Sequence, residues 1–143
     1  MMLYVMDTDH LSLYERGDPI IRDRVLIIRQ TASDSLAITV INVEEQCAGR
    51  LAQIRKATTT RTLVSAYEKL KATLVLFSDI QVLDYDVKAN DRFQEFREAG
   101  VRIGTQDLRI AAIALTHNAT LLTRNLRDFE RVPGLAIQDW SVL

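Results

Sequence analysis

Leu3-Tyr4-Val5-Met6-Asp7-Thr8-Asp9 is a short apolar run that stops abruptly on carboxylates, and the same event recurs downstream. Glu44 follows the run Leu36-Ala37-Ile38-Thr39-Val40-Ile41. Asp107 opens the apolar stretch Leu108 to Leu115, and Asp128 lies just past Thr120-Leu121-Leu122-Thr123. If these runs are neighbouring parallel strands or follow directly from them, the four acids gather at the carboxyl edge of one sheet. Crowded carboxylates repel one another, and their pKa values rise unless a cation neutralises them. A hard divalent metal with oxygen ligands is the economical answer.

Working outward from that first run, short apolar strands alternate with longer helical patterns, the signature of βαβ units around a parallel sheet. Strands are expected at Leu3 to Met6, Leu36 to Val40, Gln81 to Tyr85, Thr120 to Thr123 and Ala136 to Gln138. Thr8 or Asp9 is expected to cap a first helix that ends near Gly17, and Asp18-Pro19 to start a second, with aspartate as cap and proline at the first helical position. Asn42 with Glu45 three residues on reads as a capping box, with Val43, Cys47, Leu51 and Ile54 as the buried stripe. Further helices are expected from about Arg61 to Leu76, from Asp86 to Gly100, and after a Thr105 cap.

The bulk numbers place limits on this reading. At 143 residues, with no linker, repeat or low-complexity tract, residues 1–143 read as one α/β domain able to bury a core. The longest apolar run, Ile110 to Leu115, is six residues, against roughly 20 for a membrane span. A lone Cys47 excludes an internal disulfide and a cysteine-rich zinc site and fits a reducing cytosol. The start of the chain has no basic segment and turns acidic at once, unlike a signal peptide, so a cytoplasmic protein is expected. A net charge of −1 excludes a whole-molecule field for nucleic acid. Between Gly49 and Lys71, however, six basic residues (Arg50, Arg55, Lys56, Arg61, Lys69 and Lys71) face one acid, Glu68, a local excess of +5.

The acids differ in what else they can be doing. Asp7 suits a turn or cap after a strand. If Glu45 closes the capping box, Glu44 is the one left on the edge of the buried stripe, where a carboxylate is costly unless paired or metal-bound. Asp107 lies in the first turn of a helix apolar on every side, where the dipole favours negative charge. Asp128 can complete an Asn125 cap. Asn125, Thr123 and Asp9 are further oxygen donors nearby.

Together the segments Met6-Asp7-Thr8-Asp9-His10-Leu11-Ser12, Thr39 to Glu45, Thr105 to Ala112, and Leu122 to Val132 with Gly134-Leu135 and Asp139-Trp140 resemble PIN-domain ribonucleases, above all the VapC-type toxins of bacterial toxin–antitoxin modules. The likeness runs over nearly the whole chain. It implies a three-layer α/β/α sandwich with a mainly parallel sheet of four to five strands. It also implies a metal-dependent endoribonuclease whose metal ligands and catalytic acids are Asp7, Glu44 and Asp107, with Asp128 or Asn125 as the fourth. Asp9 stands where asparagine is more usual and adds a carboxylate. Mg²⁺ or Mn²⁺, as one ion or a pair, would activate water for in-line attack on phosphorus and balance charge on the attacking and leaving oxygens, giving 5′-phosphate and 3′-hydroxyl products. Neither His10 nor His117 is needed as a base. Arg124, Arg127 and Thr123 beside the acids are expected to bind the RNA backbone, with help from Arg102. A small antitoxin partner and a homodimer are implied by the same resemblance. Two other metal-dependent classes, receiver domains and haloacid-dehalogenase-type phosphohydrolases, expect a late lysine, and the last lysine here is Lys88. A non-catalytic PIN-like binding module would be expected to have lost acids that this chain keeps.

Overall fold

The computed structural model describes residues 1–142. Its elements run β1 (Leu3–Met6), α1 (Thr8–Glu15), α2 (Pro19–Gln30), β2 (Ser35–Thr39), α3 (Val40–Lys56), α4 (Thr60–Ser78), β3 (Gln81–Leu83), α5 (Val87–Glu98), α6 (Thr105–Thr116), β4 (Thr120–Leu122), α7 (Leu126–Phe129) and β5 (Ala136–Gln138). The five strands form one sheet in the order β3-β2-β1-β4-β5, and every pairing is parallel.

Strand periodicity divides the core in two, because successive side chains point to opposite faces. Val5, Ala37 and Leu121 enter a cluster with Ile110, Ile113 and Phe96 on the α5–α6 side. Their neighbours Met6, Ile38 and Leu122 enter a second cluster with Leu11, Ile21 and Val25 on the α1–α2 side. Ile38, Ile110, Ile113 and Leu121 are completely buried, and burial of such a side chain contributes about 1.5–3 kcal/mol. The result is helices on both faces of a parallel sheet: the sheet that the alternation pointed to, and the three layers that the resemblance implied.

Three local expectations are corrected. The capping box of α3 is Thr39 with Asn42, not Asn42 with Glu45: Asn42 N–H donates to the Thr39 hydroxyl, and Asn42 Oδ1 accepts from Thr39 N–H at 2.6 Å. The helix therefore starts earlier, and its buried face carries Ile41, Asn42 and Gln46, leaving Leu51 47% exposed. At α1 the cap is Asp7 rather than Thr8 or Asp9. At α6 the cap position belongs to Gly104, Thr105 is the first helical residue, and no side chain closes the end.

The strand order places the function. From β1 the chain first builds β2 and β3 on one side, then returns to build β4 and β5 on the other. β1 and β4 therefore flank the point where the order reverses, and in open parallel sheets ligands bind outside the carboxyl ends of the strands at such a point. Asp7 follows β1 there, and its backbone N–H donates to Leu122 O of β4 at 2.9 Å.

Candidate active site

A cleft of about 340 Å³ opens at this switch point, lined by Asp7, Thr8, Asp9, Ser12, Glu45, Asp107, Asn125 and Phe129. No lysine or arginine is among these lining residues. Asp7 is buried, 6% exposed, and its Oδ1 accepts the His10 backbone N–H at 2.7 Å. One carboxylate oxygen thus caps α1. Asp107 comes from the first turn of α6. Gly104 precedes it at the cap position of α6. Burial, then the charges of Glu45, Asp7 and Asp128, push the Asp107 carboxyl up to about 6. Burial disfavours the charged form most, and the gathered carboxylates add to it.

The third acid of the cleft is Glu45, not Glu44. Glu45 is half-buried, and its Oε1 accepts from the Thr8 hydroxyl at 2.6 Å. Thr8 in turn accepts from Asn42 Nδ2 at 3.0 Å, so the capping box of α3 and the start of α1 together hold Glu45 in place. Glu44 is exposed and accepts from Gln106 Nε2 at 2.7 Å, outside the cleft lining. A signal for Glu45 was present in the sequence: with Thr39 as cap and Asn42 turned inward, the residue three further on shares the inward face.

Asp128 and Asn125 do not compete for one place. Asn125 lines the cleft and its amide donates to Asp128 Oδ2 at 2.9 Å, while Asp128 still acts on Asp107 through its charge. Asp9 and Arg124 are joined by two hydrogen bonds, at 2.6 and 2.9 Å. This pairing, foremost through the hydrogen bond, holds Asp9 below the ordinary carboxylate range. The additional carboxylate is thus offset within the chain, and Arg124 is engaged rather than free. Thr123 is fully buried, and its hydroxyl accepts the Asn125 N–H at 2.9 Å, so it shapes the loop instead of reaching substrate. Arg127 is exposed on α7. Arg102 offers its carbonyl to Arg131.

Donor atoms of Asp7, Asp9 and His10 lie within 4.8 Å of one another. His10 is completely buried, with Nδ1 3.5 Å from Asp7 Oδ1 and Nε2 accepting the Trp140 N–H at 3.1 Å. Beyond Ser12, a second hollow of about 540 Å³ continues between α1, α3 and α4, lined by Arg16, Arg50 and Lys69 among others. The basic segment expected from the sequence is therefore split. Arg50 is tied to Glu15 at 2.6 Å and to the Thr73 hydroxyl, whereas Lys69 is exposed.

Acids from the end of β1, from α3 and from α6 meet at the switch point of a 3-2-1-4-5 parallel sheet and make an acidic cleft on a three-layer α/β/α domain. Residues 4–135 match the PIN domain, and the chain belongs to that family. It is 30% identical to ribonuclease VapC1 of Haemophilus influenzae (strain R2866), over 98% of this chain and 99% of that protein. It is 39% identical to the tRNA(fMet)-specific endonuclease VapC of Salmonella typhimurium, over 44% of this chain and 51% of that protein. The solved VapBC-1 structure from nontypeable Haemophilus influenzae superposes with a TM-score of 0.80 at 26% identity, covering 99% of this chain and all of that one.

Proposed function

We propose that this chain is a metal-dependent endoribonuclease, the toxin of a toxin–antitoxin pair. The observation that carries the reading is Asp107: a carboxylate pushed up by its burial and then by Glu45, Asp7 and Asp128, in a cleft whose lining holds no lysine or arginine. Its full-length relative is named a ribonuclease, which supports RNA as the substrate. The donor set is entirely oxygen, which suits Mg²⁺ or Mn²⁺. Asp7, Asp107 and Glu45 are the ligands in this reading, with Asn125 and Asp128 supplying the fourth position as a hydrogen-bonded unit.

When bound, such a metal supplies an activated water and charge stabilisation for phosphodiester hydrolysis. The chain's own contributions are positional. The α1 cap fixes Asp7, the Thr8–Asn42 bridge fixes Glu45, and the first turn of α6 brings Asp107 into the cleft. The phosphate backbone needs positive charge, which dominates affinity for nucleic acid. Arg124 stands at the rim on Asp9, Arg127 is exposed on α7, and Arg16 and Lys69 line the hollow beyond Ser12. RNA reaching Arg124 competes with Asp9 for it.

A partner protein fits the apolar residues exposed on α3 and α4: Leu51, Leu63, Val64, Tyr67, Leu74 and Val75. Clusters of this kind mark interaction surfaces, and the resemblance makes a small antitoxin the occupant. No helix among the described residues is long and apolar enough to cross a membrane; a cytoplasmic location and a homodimer belong to this reading through the resemblance alone.

The test is cleavage of end-labelled RNA with Mg²⁺ or Mn²⁺ by wild type, Asp7→Asn and Asp107→Asn. Loss of a metal ligand should exceed the roughly 100-fold reached by removing a ligand's outer partner. Equal cleavage by all three proteins would refute this assignment of the site.

A further inference from the structure

We infer that His10, although no part of the metal set, is the positioning residue for Asp7 and couples that carboxylate to the segment Asp139-Trp140-Ser141. This rests on the metal-site reading of the cleft.

The hydrogen-bond network assigns the imidazole's proton. The backbone N–H of Trp140 points at Nε2, at 3.1 Å in a fully buried setting. An amide can only donate, so Nε2 must offer a lone pair, and in neutral imidazole the hydrogen then sits on Nδ1. Nδ1 is therefore a donor and not a ligand, and the closeness of Asp7, Asp9 and His10 does not make a three-residue cation site. Among the described residues, Nδ1 of His10 is the one buried side-chain N or O atom without a hydrogen-bond partner. A buried donor left unsatisfied costs about 1–3 kcal/mol.

The oxygen nearest this donor is already spoken for in a useful way. Asp7 Oδ1, 3.5 Å from Nδ1, accepts the His10 backbone N–H at 2.7 Å. Backbone and side chain of one residue thus address the same carboxylate oxygen from the protein side, leaving Asp7's other oxygen for the cleft. A small turn of the carboxylate completes the second bond, so ordering Asp7 and satisfying His10 are the same event. The Trp140 N–H that meets Nε2 is itself fixed in place. Asp139 Oδ1 accepts from Ser141 N and Oγ, and the Trp140 ring packs on Tyr4 of β1 at 4.9 Å between centroids. The segment Asp139-Trp140-Ser141 therefore reaches Asp7 through one imidazole.

Two amide variants separate this role from plain packing. In His10→Asn the amide nitrogen stands where Nδ1 stood and keeps the donor toward Asp7. In His10→Gln the amide reaches the Nε2 position and keeps the acceptor for Trp140 N–H but loses the Nδ1 donor. Mn²⁺ binding is measured by calorimetry on wild type, both variants and Asp7→Asn, with thermal unfolding alongside. Expected are a Kd for His10→Asn within about threefold of wild type and a loss of about 10–100-fold for His10→Gln, the range for partners that orient metal ligands. Equal weakening in both variants, in step with their loss of thermal stability, would overturn the proposal, as would wild-type affinity in His10→Gln. If His10→Gln does not fold, His10→Asn decides alone: retained affinity supports the role and lost affinity refutes it.

A second readout needs no metal. The ¹⁵N resonances of the wild-type His10 ring should show a protonated Nδ1 and a bare Nε2, with Nδ1 moving on Asp7→Asn. The opposite tautomer would refute the role. Failure of the metal-site reading looks different, because wild type would then show no Asp7-dependent Mn²⁺ binding, and the ring resonances would decide whether His10 holds Asp7.

Discussion

The inner wall and the rim of the cleft treat negative charge in opposite ways. On the inner wall, Asp107 meets burial and three further acids, and its carboxyl is pushed up to about 6. At the rim, Asp9 meets Arg124 in a two-bond pair and is held below the ordinary carboxylate range. Both acids lie at the same sheet edge, and sequence position alone does not separate them. The difference teaches where an external cation is wanted: the rim supplies its own and the wall does not. An unneutralised, partly buried acid is costly to keep, and a pocket that maintains such a group while bringing Glu45 and Asp7 around it is organised for binding.

The sharpest way to break this contrast is to move one position along α3. Glu45 belongs to the wall, and Glu44 lies outside it on Gln106. Glu45→Gln should weaken Mn²⁺ binding and RNA cleavage by more than about 100-fold, beyond the range reached by removing a ligand's outer partner. Glu44→Gln should change either by less than about twofold, in line with the small effects of surface substitutions. Binding isotherms and initial rates on one RNA decide the matter. The reverse ranking would return the third ligand to Glu44 and show that α3 turns on binding.

A gentler test uses pH without metal. The folded-state pKa of Asp107 is about 6 against an ordinary 3.8, so the folded protein holds this proton more tightly than the unfolded chain does. Stability from this group is therefore fully present below about pH 4 and is lost as pH rises through about 6. Discounted for solvent access, the loss is on the order of 1 kcal/mol. In EDTA, thermal unfolding of wild type relative to Asp107→Asn should fall across this window, leaving the variant the more stable protein at pH 7. Adding Mn²⁺ at pH 7 should raise the melting temperature of wild type far more than that of the variant. Parallel pH curves would mean that Asp107 is solvated and that the wall resembles the rim.

How far this contrast was legible from residues alone depends on the kind of signal. Apolar runs of strand length ending at Asp7 and before Asp128 carried both the parallel sheet and its carboxyl edge, because the period of a strand and the turn after it are local properties. The gathering of Asp7 with Asp107 was also legible, since topology alone brings those two ends together. Helix register was not. Choosing Glu44 over Glu45 hung on whether Thr39 or Asn42 capped α3, and both residues are good caps. The structure resolves it through a reciprocal Thr39–Asn42 pair that the Thr8 bridge extends to Glu45. Side-chain pairing across the fold was equally hidden. Asp9 and Arg124 are 115 residues apart, and nothing local to either residue announces the other. His10 read as a bystander because its partners, Trp140 N–H and Asp7, are brought to it by tertiary packing.

The smallest expected effect sharpens the rim. Asp9→Asn removes the charge that engages Arg124 while keeping a side chain of the same size. Both partners are substantially exposed, 42% and 51%, so the stability change should stay within the 0.2–1 kcal/mol typical of surface pairs, about one degree or a few in melting temperature. The freed guanidinium then becomes available for one more phosphate contact. For single-stranded RNA this should steepen the dependence of log affinity on log salt by about 0.7, and KM at low salt should fall by a few fold with kcat little changed. The double variant Asp9→Asn with Arg124→Ala should lose that added slope, which assigns it to Arg124. An unchanged slope in Asp9→Asn would mean that Arg124 never reaches the substrate, and that the rim pair serves to join the loop after β4 to the start of α1.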